Sequence, residues 1–195
     1  MNKYLLLLTL LLPLITRAES LTFQLQEEYS VPVGIQNIIN ADAGSIFGVK
    51  PFSTVNEVIT LLGKPTGVMR IDEFRTGLIY GKSCCFIFRK GKFQQFTKSE
   101  QMVSSFLKVE EHPLFDRSNW VLIADGKEIK NRMKYEEIAS DSSTPGRPYK
   151  ISADTFSAEL SFGYSPSPSN PGAKTYTLYT FDIKFNEPMN PAPGQ

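Results

Sequence analysis

The chain has 195 residues, with 21 basic against 20 acidic side chains, a near-balance that leaves no cationic excess to hold a phosphate backbone and argues against nucleic acid as a partner. Its two cysteines, Cys84 and Cys85, are neighbours, which excludes a disulfide framework between distant segments. A chain of this length buries a sizeable core by packing alone.

Met1–Ala18 reads as a secretory leader. Lys3 gives the positive start, Leu5–Leu12 an apolar run broken only by Thr9, and Thr16-Arg17-Ala18 a small-x-small end, too short in all to span a bilayer. A periplasmic or secreted protein is expected, with no membrane span after cleavage. Leu21, Phe23 and Leu25 then alternate with Thr22, Gln24 and Gln26 as an entering strand, and Asn40–Gly44 reads as a turn.

Phe47 to Phe96 holds the strongest pattern. Val55, Val58, Ile59 and Leu62 fall at i, i+3, i+4 and i+7, a single apolar stripe on a short helix. Thr54 and Glu57 have capping-box spacing, Gly63 offers a helix stop, and Pro65 forbids resumption. Because so short a helix is unstable alone, its stripe is expected to bury on a sheet. Ile59→Asp is then expected to disrupt the fold, and Thr66→Asp, in the turn beyond, to be nearly silent.

Lys90-Gly91 reads as a hairpin turn between strands Cys84–Arg89 and Lys92–Thr97. Lys90, Lys92 and Lys98 interleave with Phe88, Phe93 and Phe96, which a hairpin with a charged outer edge accounts for without a nucleic-acid ligand. Lys98–Leu107, opened by Thr97-x-x-Glu100, reads as a second short helix. Trp120–Ile123 reads as a strand ended by Asp125-Gly126.

An offset of 80 residues carries Val55, Val58 and Ile59 to Tyr135, Ile138 and Ala139, Pro65 to Pro145, and Ile71 to Ile151. Ala41-Asp42-Ala43-Gly44 similarly answers Ala124-Asp125-Gly126. The pattern reads as a tandem repeat. The second copy ends in a hairpin in which Phe156, Ala158, Leu160 and Phe162 alternate with Ser157, Glu159 and Ser161. After a polar loop, Ser165–Gly172, the return strand sets Tyr179, Phe181, Ile183 and Phe185 on one side. Tyr176, Leu178, Thr180, Asp182 and Lys184 lie on the other, solvated side. Glu187–Gln195, with three prolines, reads as a disordered tail.

The phrase FGVKPFSTVNEVITLLGKPTG, with the hydrophobic strands and glycine turn after it, resembles the helix-and-meander unit of the SmpA/OmlA-type outer-membrane assembly lipoproteins and of the β-lactamase inhibitor proteins, the latter looking like two such units in tandem. The resemblance covers Gly44–Phe96 and, more loosely, Trp120–Phe185. It implies an α+β fold of two-layer units in tandem, each a short helix packed on an antiparallel β-meander, and a habit of binding proteins. The chain departs from the lipoprotein type in lacking an N-terminal cysteine to acylate, and from the inhibitor type in lacking disulfides, so no individual functional residue is carried over.

Residues 1–18 are thus assigned to a signal peptide, 19–107 to a first helix-plus-sheet unit, 108–186 to a second, and 187–195 to a proline-rich tail. Chemistry is sparse. His112, the single histidine, sits in a Glu-Glu-His-Pro-Leu connector. Glu110, Glu111 and His112 lack the second His or Cys cluster of a zinc site. In Gly63-Lys64-Pro65-Thr66-Gly67 the proline removes an amide donor that a phosphate loop needs. No catalytic residue, metal or cofactor is expected. The reading is an exported, non-enzymatic protein-binding module of the bacterial cell envelope, of inhibitor, immunity or assembly-factor type. It acts on another envelope or secreted protein through an open sheet face that presents Tyr176, Leu178, Thr180, Asp182 and Lys184, with Tyr176 and Leu178 as apolar anchors. The alternative is a thiol-dependent redox protein or hydrolase that uses Cys84 or Cys85 with His112.

Overall fold

The computed structural model describes residues 21–23, 37–99, 102, 111, 112, 114–116, 119–139, 147–167 and 170–187. The leader, most of the expected helix at 98–107 and residues 188–195 of the expected tail lie outside them. The elements are β1 (Leu21–Phe23), β2 (Ile38–Asn40), β3 (Ser45–Ile46), α1 (Val55–Leu62), β4 (Gly67–Arg70), β5 (Arg75–Tyr80), β6 (Cys84–Arg89) and β7 (Lys92–Ser99). They continue with β8 (Val121–Ala124), β9 (Lys127–Lys130), α2 (Tyr135–Ile138), β10 (Tyr149–Ser152), β11 (Phe156–Ser167) and β12 (Asn170–Phe185).

Local signals produce α1 as expected. The Thr54 N–H donates to Glu57 Oε2 at 2.6 Å, and the Glu57 N–H to Thr54 Oγ1 at 3.3 Å, so the capping box is closed. Gly63 ends the helix at φ 82°, a left-handed conformation that glycine takes without a Cβ clash. Val58 and Leu62 are buried, while Val55 and Ile59 pack against the core from partly buried positions. Thr66 is not the silent turn residue expected. It is 3 % exposed and its hydroxyl accepts the Gly81 N–H at 2.9 Å, so Thr66→Asp would place a charge in a closed site.

The expected tandem of helix-on-meander units is overturned. The described chain is mostly strand, gathered in two sheets. The larger has eight strands in the order β1-β4-β5-β6-β7-β12-β11-β10, and the smaller has four, β3-β2-β8-β9. Every pairing in the larger is antiparallel. In the smaller, β2 and β8 are parallel. The reason lies in pairing between the halves: β7 and β12 hydrogen-bond over Gln95–Ser99 and Thr180–Lys184, which makes one sheet of what two separate units would keep apart. Strand β7 also occupies Lys98 and Ser99, where a second helix was expected to start. Helix α2 is a single turn, too short to roof a sheet of its own.

The core is likewise shared. Phe96 meets Phe181 with ring centroids 6.1 Å apart, Phe93 meets Phe185 at 5.7 Å, and Trp120 meets Phe181 at 5.0 Å. Ile39, Ile46, Leu122 and Ile129 of the smaller sheet join the same cluster, so its apolar side closes over the inner face of the larger one. The repeated turns meet at one point, where the Asp42 carboxylate accepts the N–H groups of Asp125 and Gly126 at 2.8 and 2.9 Å.

Candidate functional site

Alternation along β12 puts Phe181, Ile183 and Phe185 into the core and Thr180, Asp182 and Lys184 on the outer face, as the sequence predicts. The prediction fails one step earlier. Thr180 pairs with Ser161 but Leu178 pairs with Phe162, so Tyr179 is the extra residue of a β-bulge. That extra residue reverses the parity. Leu178 is fully buried, Tyr176 packs against the core, and Tyr179 is 43 % exposed. Leu178 therefore belongs to the interior and Tyr176 to its half-buried inner-face edge, and the aromatic that β12 sets on the outer face is Tyr179. Its ring lies over Gly163, where a Cβ would approach to 3.2 Å.

The rest of that face is polar and self-paired. Asp182 accepts hydrogen bonds from the Thr97 hydroxyl and, at 3.4 Å, from Gln95 Nε2. Lys150 and Glu159 form an ion pair at 3.5 Å. Two shallow depressions meet at Gln95 and Lys184. One, of about 270 Å³, reaches toward Phe74, Arg75 and Arg89, and the other, of about 300 Å³, toward Ser157, Glu159 and Lys150.

On the inner face a second constellation appears that sequence reasoning missed. Lys98, expected on a charged edge, shares the parity of Phe96 and is 6 % exposed. Its Nζ donates to Ser83 Oγ and, at 2.7 Å, to the Phe115 carbonyl. The Ser83 hydroxyl donates to Asp116 Oδ1 at 2.6 Å. Asp116 also accepts the Lys82 N–H, 2.9 Å from each carboxylate oxygen, and the His112 N–H at 2.7 Å. Parity with Phe96 was the one signal available for Lys98; the others join only through folding. A lysine beside a serine hydroxyl is the pairing that some hydrolases use. Here the hydroxyl proton is committed to Asp116 and Ser83 is only 5 % exposed, so the pair presents no nucleophile to solvent. The arrangement is a clamp that holds the segment around 111–116 on the sheet.

Comparison of the chain with protein-family models, characterised proteins and solved structures yields no match.

Of the residues of the thiol alternative, Cys84 and His112 both adjoin Phe115, while Cys85 lies on the other side of its strand. Cys84 and Cys85 are both buried and free, on opposite faces of β6, with Cys84 Sγ 3.7 Å from the Phe115 carbonyl and Cys85 against Gly77. Burial pushes the Cys84 thiol up to about 11 and Cys85 to about 12, away from the thiolate that nucleophilic and redox chemistry require. His112 Nδ1 accepts the Leu114 N–H at 3.1 Å, and burial, opposed in part by Asp116, lowers its pKa and favours the neutral ring. Among the described residues no cluster of His, Cys, Asp or Glu is placed to hold a metal ion.

These thiols give a direct expectation. Both hold their protons more tightly folded than unfolded, where the reference value is 9.0. Their contribution to stability is complete below pH 9 and is lost as pH rises through 11 to 12. A thiol-reactive dye should leave the native protein unlabelled at pH 8 and label both cysteines in denaturant, and the unfolding midpoint should fall above pH 9. A thiol that reacts rapidly in the native state would revive the redox alternative.

Proposed function

We propose that this chain is an exported, non-enzymatic module of the bacterial cell envelope that binds another envelope or secreted protein on the outer face of its large sheet, in the manner of an inhibitor, immunity protein or assembly factor. The observation that carries this reading is the polar outer surface of β7, β12, β11 and β10, where Gln95, Asp182, Lys184, Ser157 and Glu159 border two joined depressions. Thr180, Asp182 and Lys184 remain in the proposed contact, joined by Tyr179, while Tyr176 and Leu178 leave it. An aromatic on an otherwise polar strand face supplies contact area at small entropic cost. The leucine-rich start ending in Thr16-Arg17-Ala18 supports export. The buried, fully protonated thiols and the closed Ser83–Lys98 pair favour binding over catalysis.

The test is co-purification from a periplasmic extract with wild type and with a Ser157→Arg/Ser161→Arg variant, which adds bulk to the outer face without touching the core. Wild type is expected to retain a partner that the variant loses at an unchanged melting temperature. The same partner held equally by both proteins would remove the sheet face from consideration. Recovery of the exported protein with Met1 intact would withdraw the compartment.

A further inference from the structure

The depression that ends at Arg89 is unbalanced in charge. Of the side chains that line it, only Asp72 is acidic, and it is paired with Arg75, whose Nε lies 2.6 Å from its carboxylate; Asp182, in the adjoining depression, and Glu187, which accepts from Gln94 at 3.0 Å, bond neutral donors. Among the described residues, Arg89 and Lys184 have no carboxylate within ion-pair distance, although both line the same hollow. Arg75 and Arg89 are direct register partners on β5 and β6, and so share one face. Like charges set directly opposite destabilise a sheet, and one acidic neighbour at Arg75 relieves only part of that repulsion. Beside these cations, Phe74 is 53 % exposed and Ile87 forms a partly buried apolar floor.

We propose that this depression receives an acidic loop of the partner protein: an aspartate or glutamate carboxylate docks between Arg89 and Lys184, and an adjacent apolar side chain rests on Phe74 and Ile87. The inference rests on the sheet-face reading above and assigns the partner's chemistry. Arginine's planar donor fork suits a carboxylate, and the incoming charge removes the repulsion between Arg75 and Arg89. Opposite charges brought together at a rim also speed association and make it sensitive to salt.

The test uses the full chain with Phe74 replaced by p-benzoylphenylalanine, irradiated in cells that export it, with the attached peptide identified by mass spectrometry. The expected product is a peptide of another protein with an aspartate or glutamate close to the attachment point. Arg89→Glu/Lys184→Glu in that background should lower the yield about tenfold or more without lowering the melting temperature, and Arg89→Gln/Lys184→Gln should lower it less. Unchanged yield on charge reversal overturns the proposal. So does attachment to a peptide without carboxylates, to a lipid, or to a second copy of this chain. If no product forms, the docking site is wrong, and the Ser157→Arg/Ser161→Arg pair decides the wider reading. Loss of the partner there keeps the sheet face and discards only this depression.

Discussion

Leu178→Asp is expected to lower stability by about 4 kcal/mol or more, while Tyr179→Asp, one residue further on, should stay within about 1 kcal/mol of wild type. Leu178 is fully buried opposite Phe162, so an incoming carboxylate would be taken out of water into an apolar setting. Its own N–H bonds the Met133 carbonyl at 2.9 Å, so the backbone has little freedom to rotate the side chain outward. A loss of this size approaches the whole stability of many domains. Tyr179, at 43 % exposure, gives up only its cover over Gly163. Urea midpoints followed by circular dichroism would measure both. If Tyr179→Asp proved the more damaging, the strand would alternate without a bulge, and the outer face would revert to Tyr176 and Leu178.

That pair shows where the sequence stops being legible. Phe181, Ile183 and Phe185 alternate with polar neighbours, so one face is unambiguous. Leu178-Tyr179 is a doublet of large side chains, and either parity satisfies a pattern of period two. The bulge that chooses between them leaves its trace on the opposite strand, at Gly163, which makes room for the Tyr179 ring. Lys98 departs from expectation for a different reason: its charge favours solvent, while its place two residues from Phe96 on one strand sets it inward. An inward lysine needs partners, and those partners lie on a connector that contributes nothing to the periodicity.

Helix α1 was legible to its caps because its signals are local. Thr54, Glu57 and Gly63 act within one turn of the residues they satisfy. The joining of the two halves was not, because the hydrogen bonds between β7 and β12 link positions more than 80 residues apart, such as Thr97 and Asp182. A repeated order of hairpin, helix and strands is compatible both with two separate units and with one shared sheet. The shared aromatic contacts of Phe93 and Phe96 with Phe185 and Phe181 are what the single sheet makes possible. In the outer-face site, Asp182 and Lys184 were legible from alternation. Arg89 and Phe74 entered only through the order of strands β5, β6, β7 and β12.

Asp116→Ala is expected to destabilise the protein by about 2–3 kcal/mol, because its half-buried carboxylate accepts hydrogen bonds from three donors that would be left short of a partner. The carboxylate serves three donors from two places in the chain: the Lys82 N–H and the Ser83 hydroxyl beside it, and the His112 N–H. Through Ser83 it also faces the buried Lys98 ammonium. Its removal leaves that charge without a nearby carboxylate, held by Ser83 and by the Phe115 carbonyl, to which the Ser83 hydroxyl, 3.1 Å away, must also turn. Lys98→Met should be milder, because Asp116 keeps its three neutral donors, and in the Asp116→Ala background it should recover part of the loss by removing the stranded charge. A coupling of about 1 kcal/mol or more in this double-mutant cycle is the expected result. Gly81→Ala attacks the same clamp from the backbone: at φ 60° the new Cβ would stand 2.2 Å from Asp116 Oδ2 and must expel the carboxylate. Its effect should therefore largely vanish once Asp116 is alanine, leaving only the smaller strain of a left-handed alanine. Simple additivity in both cycles would mean that Lys98, Ser83 and Asp116 act independently, and that the segment around His112 is held by its apolar contacts, such as the His112–Phe115 ring pair, rather than by the buried charges.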